Sequence, residues 1–462
     1  MFIKESFLVV FIFLSTFLRA QDSIPAGSSG FYTPPRKGQM WDTWLYYHNK
    51  TYYLYYIGGP LGKWDAHELA TSSDGVNWTF KKEIIKPLSG TEWIGTGQLW
   101  KSPNFENDSI WISNYSEWVN GKQDIMFATS HDLTNWKKVS GNKRFKQDTR
   151  WYKADGRWDC IDVVKGDDGY LYGYFTADPD PEKVDYEYCG FGFARSSDGI
   201  TWEALPPVKG DLHGEFGGIE KIGEKYYITI SEGRIGIGDS FKGPFYGQKK
   251  NSNMFDGDIY FPRFFHGSAT ADGRPLVNHF YKNGIVYSAP LKDIEIDAED
   301  ILRLKWWKGN SVLKNKSLNA GYIGYNNLIN LLETNFYPER TYVIEGSVRL
   351  SNKPDSHDQR GLVFSQEENN GDYILFFRDR TSFGNYVIED NVITYQEKNS
   401  VARDMDYGTI QNFRVVLCND MVEVYIDDYL TVIQRVKLNE KIGIITGEDV
   451  NSFTNVKIWS NH

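Results

Sequence analysis

Three acidic residues, far apart in the chain, stand at the same distance from a turn. Asp42 lies in Trp41-Asp42-Thr43-Trp44-Leu45-Tyr46-Tyr47, before a turn at His48-Asn49-Lys50. Asp159 lies in Trp158-Asp159-Cys160-Ile161-Asp162-Val163-Val164, before Gly166-Asp167-Asp168-Gly169, and Glu215 in Gly214-Glu215-Phe216-Gly217-Gly218-Ile219-Glu220, before Gly223-Glu224-Lys225. Each acid is eight positions ahead of its turn. Were these segments equivalent strands of a repeated unit, their carboxylates would converge. Mutual repulsion then raises at least one pKa, as a general acid near neutral pH requires. An acid that protonates a leaving oxygen, beside a carboxylate acting as nucleophile or base, is the chemistry of glycoside hydrolysis. A third carboxylate orients sugar hydroxyls or supports positive charge in the transition state. One such acid alone is more simply a strand cap or the partner of a nearby Arg or Lys; three in register favour a catalytic set. Asp162 and Glu220 fall out of this register, and Asp258 is a candidate further equivalent.

The elements that would position these acids announce themselves by a repeat. Ala70-Thr71-Ser72-Ser73-Asp74-Gly75-Val76-Asn77-Trp78 recurs as Ala128 to Trp136 and as Ala194 to Trp202, with the tryptophans 58 and 66 residues apart. Each reads as a strand, a tight turn at Asp-Gly or Asp-Leu, and a Trp opening the next strand. The period suits a four-stranded blade, so the chain is predicted to be all-β, a β-propeller whose first strands meet at a central channel. Five units are marked, near Gln39–Phe80, Trp93–Lys138, Arg157–Leu205, Gly214–Tyr246 and, less regularly, Gly257–Ile294; four or six also fit the spacing. The propeller is expected over 30–305. Beyond Ser311 the turn motif vanishes and alternating strands such as Tyr342–Leu350, Phe413–Leu417 and Met421–Asp428 predict a β-sandwich over 311–462. Leu304–Asn310, with adjacent Trp306 and Trp307, is expected to dock one domain onto the other.

Composition narrows the function further. The chain has 462 residues, 40% hydrophobic and 24% charged, which is globular and long enough for two cores. A net charge of −10 with no basic tract argues against nucleic acid as a partner. Met1 to Ala20 reads as a secretory signal peptide cleaved after Ala20, so the protein is expected to be secreted or periplasmic, without a membrane span. The three cysteines, Cys160, Cys189 and Cys418, allow one disulfide without implying it, and nothing resembles a zinc framework. The chemistry requires no metal or cofactor, although scattered Asp and Asn leave Ca²⁺ open. Trp44, Trp93, Trp100 and His67 are candidate walls of a sugar pocket. For each Trp, packing between blades fits as well as stacking on a ligand; for His67 a surface pair with Asp65 is the simpler role.

These residues resemble a known family. Met40-Trp41-Asp42, followed by a Tyr-rich hairpin, resembles the nucleophile motif of glycoside hydrolase family 32, the invertase, inulinase and levanase family. Arg157-Trp158-Asp159 is similar to its Arg-Asp-Pro stabiliser motif, and Gly214-Glu215 to its Glu-Cys acid/base motif. Ile94-Gly95-Thr96-Gly97-Gln98 sits where that family has a small-residue substrate loop, and Phe413–Val436 and Phe453–Trp459 look like the last strands of its sandwich. The resemblance implies Asp42 as nucleophile, Asp159 as stabiliser and Glu215 as acid/base. It implies sugar contacts from Trp41, Trp44, His67, Trp93, Thr96, Gln98, Arg157 and Trp158. The implied activity is exo-acting hydrolysis of terminal β-fructofuranosides in oligo- or polysaccharides. The motifs depart from the family: Thr43-Trp44-Leu45 replaces Pro-Asn-Gly, Ile57 stands for a Gln, Trp158 for the Arg before the stabiliser, and Phe216 for the Cys. Two alternatives therefore stay open: an inverting enzyme like families 43 and 117 of the same five-bladed group (which also holds family 68), acting on arabinose-, xylose- or anhydrogalactose-containing sugars, and a non-catalytic carbohydrate-binding propeller.

Overall fold

The computed structural model describes residues 30–462, apart from 36–37, 61–63, 89–92, 120, 141–142, 252–258, 266–274, 282–286, 325–328, 351–357, 368, 403 and 438–439. The expected signal segment and Asp258 lie outside the described residues. The repeated turn forms the same way three times. Asp74 Oδ1 accepts from Val76 N and Asn77 N at 2.9 and 2.7 Å, Asp132 Oδ1 from Thr134 N and Asn135 N at 2.9 and 2.7 Å, and Asp198 Oδ1 from Ile200 N and Thr201 N at 2.8 and 2.6 Å. The next residue takes a left-handed backbone: Gly75 at φ 74°, Gly199 at 77° and, without glycine's freedom, Leu133 at 59°.

Around these turns the strands assemble into four separate four-stranded antiparallel sheets. They comprise strands within Gly38–Ile85, Leu99–Lys138, Trp158–Leu205 and Phe216–Gly247. A fifth run, Ile259–Phe264, Val277–Tyr281, Lys292–Ile296 and Leu302–Trp306, does not stand alone. Lys305 pairs with Tyr429, and the sheet continues through the C-terminal strands to eleven. Five separate blades were expected; four are separate, and the fifth unit is merged with the C-terminal region because its outer strand finds a partner there.

Side-chain hydrogen bonds run from unit to unit round a ring. His67 Nε2 donates to Gly95 O (2.7 Å), Asn114 Nδ2 to Ile161 O (2.5 Å), Ile219 N to Asp162 Oδ2 (3.0 Å), Thr229 Oγ1 to Pro262 O (2.9 Å) and Asn278 Nδ2 to Thr43 O (3.0 Å). These bonds between neighbouring units are buried, where an unpaired polar group would be costly.

The C-terminal region holds the rest of the eleven-stranded sheet and a seven-stranded one. Ile344, Val415 and Val424 of the first and Leu362, Ile374 and Ile444 of the second are buried in one apolar cluster. The adjacent tryptophans divide their contacts. Trp306 packs on Tyr425 (ring centroids 5.5 Å apart) beneath the Arg414 guanidinium, whereas Trp307 packs on Tyr52 of the first sheet (6.1 Å). Among the described residues no helix is long and apolar enough to cross a membrane. Cys160, Cys189 and Cys418 are buried and form no disulfide.

Candidate active site

Four of the five inner strands carry a β-bulge at the same end, Leu99–Lys101 of the second unit pairing without one. The pairing slips between Trp41 and Trp44, between Asp159 and Asp162 opposite Thr176 and Tyr174, between Phe216 and Gly218, and between Tyr260 and Arg263. Bulges bend a strand and re-aim side chains, and three of these place a non-glycine residue at positive φ: Asp42 (47°), Cys160 (54°) and Phe261 (54°). Asp42 is thus equivalent to Cys160, not to Asp159. The pair before the bulge is Trp41 opposite Ile57, Asp159 opposite Thr176 and Phe216 opposite Ile230. The three acids are staggered, Asp42 one residue after that position, Asp159 on it and Glu215 one before it. Counting from the turn misaligned them because the reference point shifted: Lys50 and Asp167 are second in their loops whereas Gly223 is first in its own, and the first unit has one more residue between the pre-bulge pair and its loop.

The stagger does not separate them. Asp42, Asp159 and Glu215 all line one cavity of about 320 Å³, together with Trp41, Trp93, Thr96 and Arg157 from the expected set. Ile57, Trp64, Trp118, Cys160, Thr176 and Phe261 complete the wall, none of them among the expected sugar contacts. Two carried a usable signal, since Ile57 and Thr176 are the cross-strand neighbours of Trp41 and Asp159. Trp41, Trp64, Trp93 and Trp118 form a chain of rings, with centroids 5.9, 5.9 and 5.3 Å apart in succession. The cavity is therefore lined by both acidic groups and aromatic rings, a combination that accepts a sugar's hydroxyls and its C–H faces.

The other expected contacts lie behind the wall. Trp44 is buried against His67 (ring centroids 4.8 Å apart) and Tyr55. His67 is 0% exposed, which overturns the surface pairing with Asp65; its Nε2–H supports the loop at Gly95. Burial lowers the His67 pKa to about 4, so the ring is neutral at physiological pH. Gln98 is fully buried with neither amide atom hydrogen-bonded among the described residues. Trp158 is locked in the core, its Nε1 donating to Phe145 O at 2.9 Å, and Trp100 packs against Phe127 and Trp202. Asp162 and Glu220 line no part of the cavity; Asp162 serves as the joint to Ile219.

Electrostatics distinguish the acids. Asp42 is 8% exposed, and its Oδ1 has no hydrogen-bond partner among the described residues. Burial pushes its carboxyl up to about 7, with Arg263 the largest opposing influence, and Glu215 and Asp159 adding repulsion. Asp159 is also raised by burial, opposed by Arg157 and by a 2.5 Å bond from Ser116 Oγ to its Oδ1. Ser116 is held in turn by Gln123 Nε2 at 3.1 Å. Arg157 lies between the other two acids, ion-paired with Glu215 Oε1 and 3.5 Å from Asp159 Oδ2. Gly95 lets the loop approach: a Cβ there would clash with Ser116 Oγ and sit 2.8 Å from Asp159 Oδ1. Among the described residues no group of three or more His, Cys, Asp or Glu is placed to hold a metal ion.

An all-β chain of propeller-like sheets with an extended C-terminal sheet has counterparts among solved structures. Its fold is that of the glycoside hydrolase family 32 β-fructofuranosidases. The fructofuranosidase from Schwanniomyces occidentalis, complexed with fructose, superposes with a TM-score of 0.69 at 15% identity, covering 96% of this chain and 100% of that one. The Bombyx mori GH32 beta-fructofuranosidase BmSUC1 gives 0.65 at 14% identity (94% and 93%), and the Aspergillus awamori exo-inulinase 0.68 at 13% (95% and 98%). At that identity the likeness is one of fold. The sequence matches no family model and no curated protein.

Proposed function

We propose that this chain is an exported, exo-acting glycosidase that cleaves terminal β-fructofuranosides of the sucrose, levan or inulin type. In this reading the five units over 30–305 form a five-bladed catalytic propeller and 311–462 a β-sandwich packed against it. Asp42 attacks the anomeric carbon while Glu215 protonates the leaving oxygen. Glu215 then takes a proton from water, which displaces the sugar from Asp42 with net retention. Asp159, fixed by Ser116 and Arg157, holds ring hydroxyls and faces the positive charge that develops on the ring. That charge also favours the ionised form of Asp42, offsetting its desolvation as the transition state is approached.

The observation that carries the proposal is the convergence of three staggered carboxylates on one aromatic-walled cavity, within a fold shared with fructofuranosidases and an exo-inulinase. The test is turnover of sucrose, levan, inulin, arabinan and neoagaro-oligosaccharides by the purified protein, with Asp42→Asn as control. Binding without turnover on all five would leave a carbohydrate-binding propeller.

A second reading has one specific observation in its favour. A carboxyl raised to about 7 is well matched to a general base, so Asp42 would suit activation of water in an inverting reaction. Proton NMR of the first-formed anomer decides between them.

A further inference from the structure

Arg263 lies on the fifth unit's inner strand, Ile259–Phe264, and is fully buried. Its Nη1 donates to Gly97 O at 2.8 Å; its Nη2 donates to Cys160 Sγ at 2.8 Å and lies 3.4 Å from Thr96 Oγ1. The guanidinium sits over the Phe261 ring, 4.6 Å from its centroid. Thr96, Cys160 and Phe261 all line the acid cavity, so this cation is placed directly behind the cavity wall. Among the described residues it has no carboxylate within 4.0 Å, and its Nε has no acceptor. A guanidinium buried on neutral partners is costly, and such a cost is retained where a nearby anion gains from it.

We propose that Arg263 is a positioning residue that fixes the charge of Asp42 from behind the cavity while tying the Thr96–Gly97 loop and the Cys160 bulge to the fifth unit. The role of that charge in catalysis rests on the reading of Asp42 as nucleophile; the electrostatic coupling does not. The charged groups acting on Asp42 are Arg263 and Arg157, which favour its anion, and Glu215 and Asp159, which oppose it. Arg157 is 39% exposed and already paired with Glu215, so solvent and its partner blunt its effect. Arg263 is shielded from both. No neutral residue that merely braced the loop would act on Asp42 in this way.

The test reads Asp42 without relying on activity. The difference in unfolding stability between the parent and Asp42→Asn, followed against pH, reports the midpoint at which Asp42 ionises. The same pair is then compared in Arg263→Gln and Arg263→Lys backgrounds. Arg263→Gln is expected to move the midpoint up by about one pH unit or more, and Arg263→Lys to leave it near the parent value. An unmoved midpoint in Arg263→Gln, or an equal rise in both backgrounds, overturns the proposal. If Arg263→Gln does not fold, Arg263→Lys decides alone: a retained midpoint supports a charge effect and a raised one contradicts it. Should Asp42→Asn keep its activity while the midpoint moves, the nucleophile reading falls and the coupling stands.

Discussion

Arg157 and Glu215, 58 residues apart in sequence, are joined by an ion pair inside the acid-lined cavity. The same guanidinium faces Asp159 at 3.5 Å, so one cation ties together two of the three acids. Bringing it there takes the irregular stretch before the Trp158–Lys165 strand, where Arg157 N is itself anchored to Asp178 Oδ2 at 2.8 Å.

Replacing Arg157 with Met removes that cation from the reacting centre while leaving the core untouched. kcat on a fructofuranoside should fall by about 100-fold or more. Thermal stability should change little, because the pair is partly exposed, at 39% and 27% for its two side chains. Steady-state kinetics beside a melting curve checks both halves, and an unchanged kcat contradicts the assigned role.

Asp42 makes a prediction about stability with a definite sign. Its folded pKa of about 7 lies above the usual carboxyl value of 3.8, so its favourable contribution is complete below pH 4 and is lost as pH rises through 7. Asp42→Asn should therefore match the parent near pH 4 and exceed it at pH 8, by on the order of 4 kcal/mol at most. Denaturant titrations at the two pH values measure this directly. An Asn variant less stable than the parent at pH 8 would contradict the desolvated carboxylate.

What was legible in the sequence was whatever local chemistry determines. The turns at Asp74, Asp132 and Asp198 were readable because one side chain closes the turn over the next three residues. The acids were found by a spacing along the chain, each standing eight positions ahead of a turn. Their equivalence was not legible, because the bulge at Asp42 and the bulge after Asp159 depend on the neighbouring strand, and the stretch between bulge and loop is longer in the first unit. His67 and Trp158 look like exposed contact residues in sequence, yet the fold buries both. Arg263 carried no signal at all: a lone Arg in the least regular unit becomes informative only when Thr96, on a loop, and Cys160, on another unit's inner strand, arrive beside it.

Two buried histidines predict loss of stability on the acid side. Burial lowers both His67 and His279 to about 4, below the ordinary 6.5, so each contribution is complete above pH 6.5 and lost as pH falls through 4. Each is worth up to about 3 kcal/mol. His67→Gln should lessen the fall in melting temperature between pH 6.5 and pH 4.5. An identical fall in parent and variant would show that protonation of His67 plays no part.

The junction between the fifth unit and the C-terminal sheet holds a buried ion pair. Lys292 and Glu423 are both 0% exposed and bonded to each other, with Tyr425 OH donating to Glu423 Oε2 at 2.7 Å and His279 Nε2 3.6 Å from Oε1. Glu423→Gln leaves a buried ammonium unpaired and should cost about 3–5 kcal/mol. Lys292→Met combined with Glu423→Leu should cost much less, since both desolvated charges go together. Equal losses in the single and double variants would argue against a coupled pair.

Release of fructose from sucrose, levan and inulin by the parent protein and by Asp42→Asn, assayed at equal folded concentration, goes to the heart of the matter. The parent should liberate fructose from at least one of these, and the Asn variant should be slower by at least about a thousandfold. Undiminished release by folded Asp42→Asn would contradict a reaction carried by the carboxylate in the first bulge.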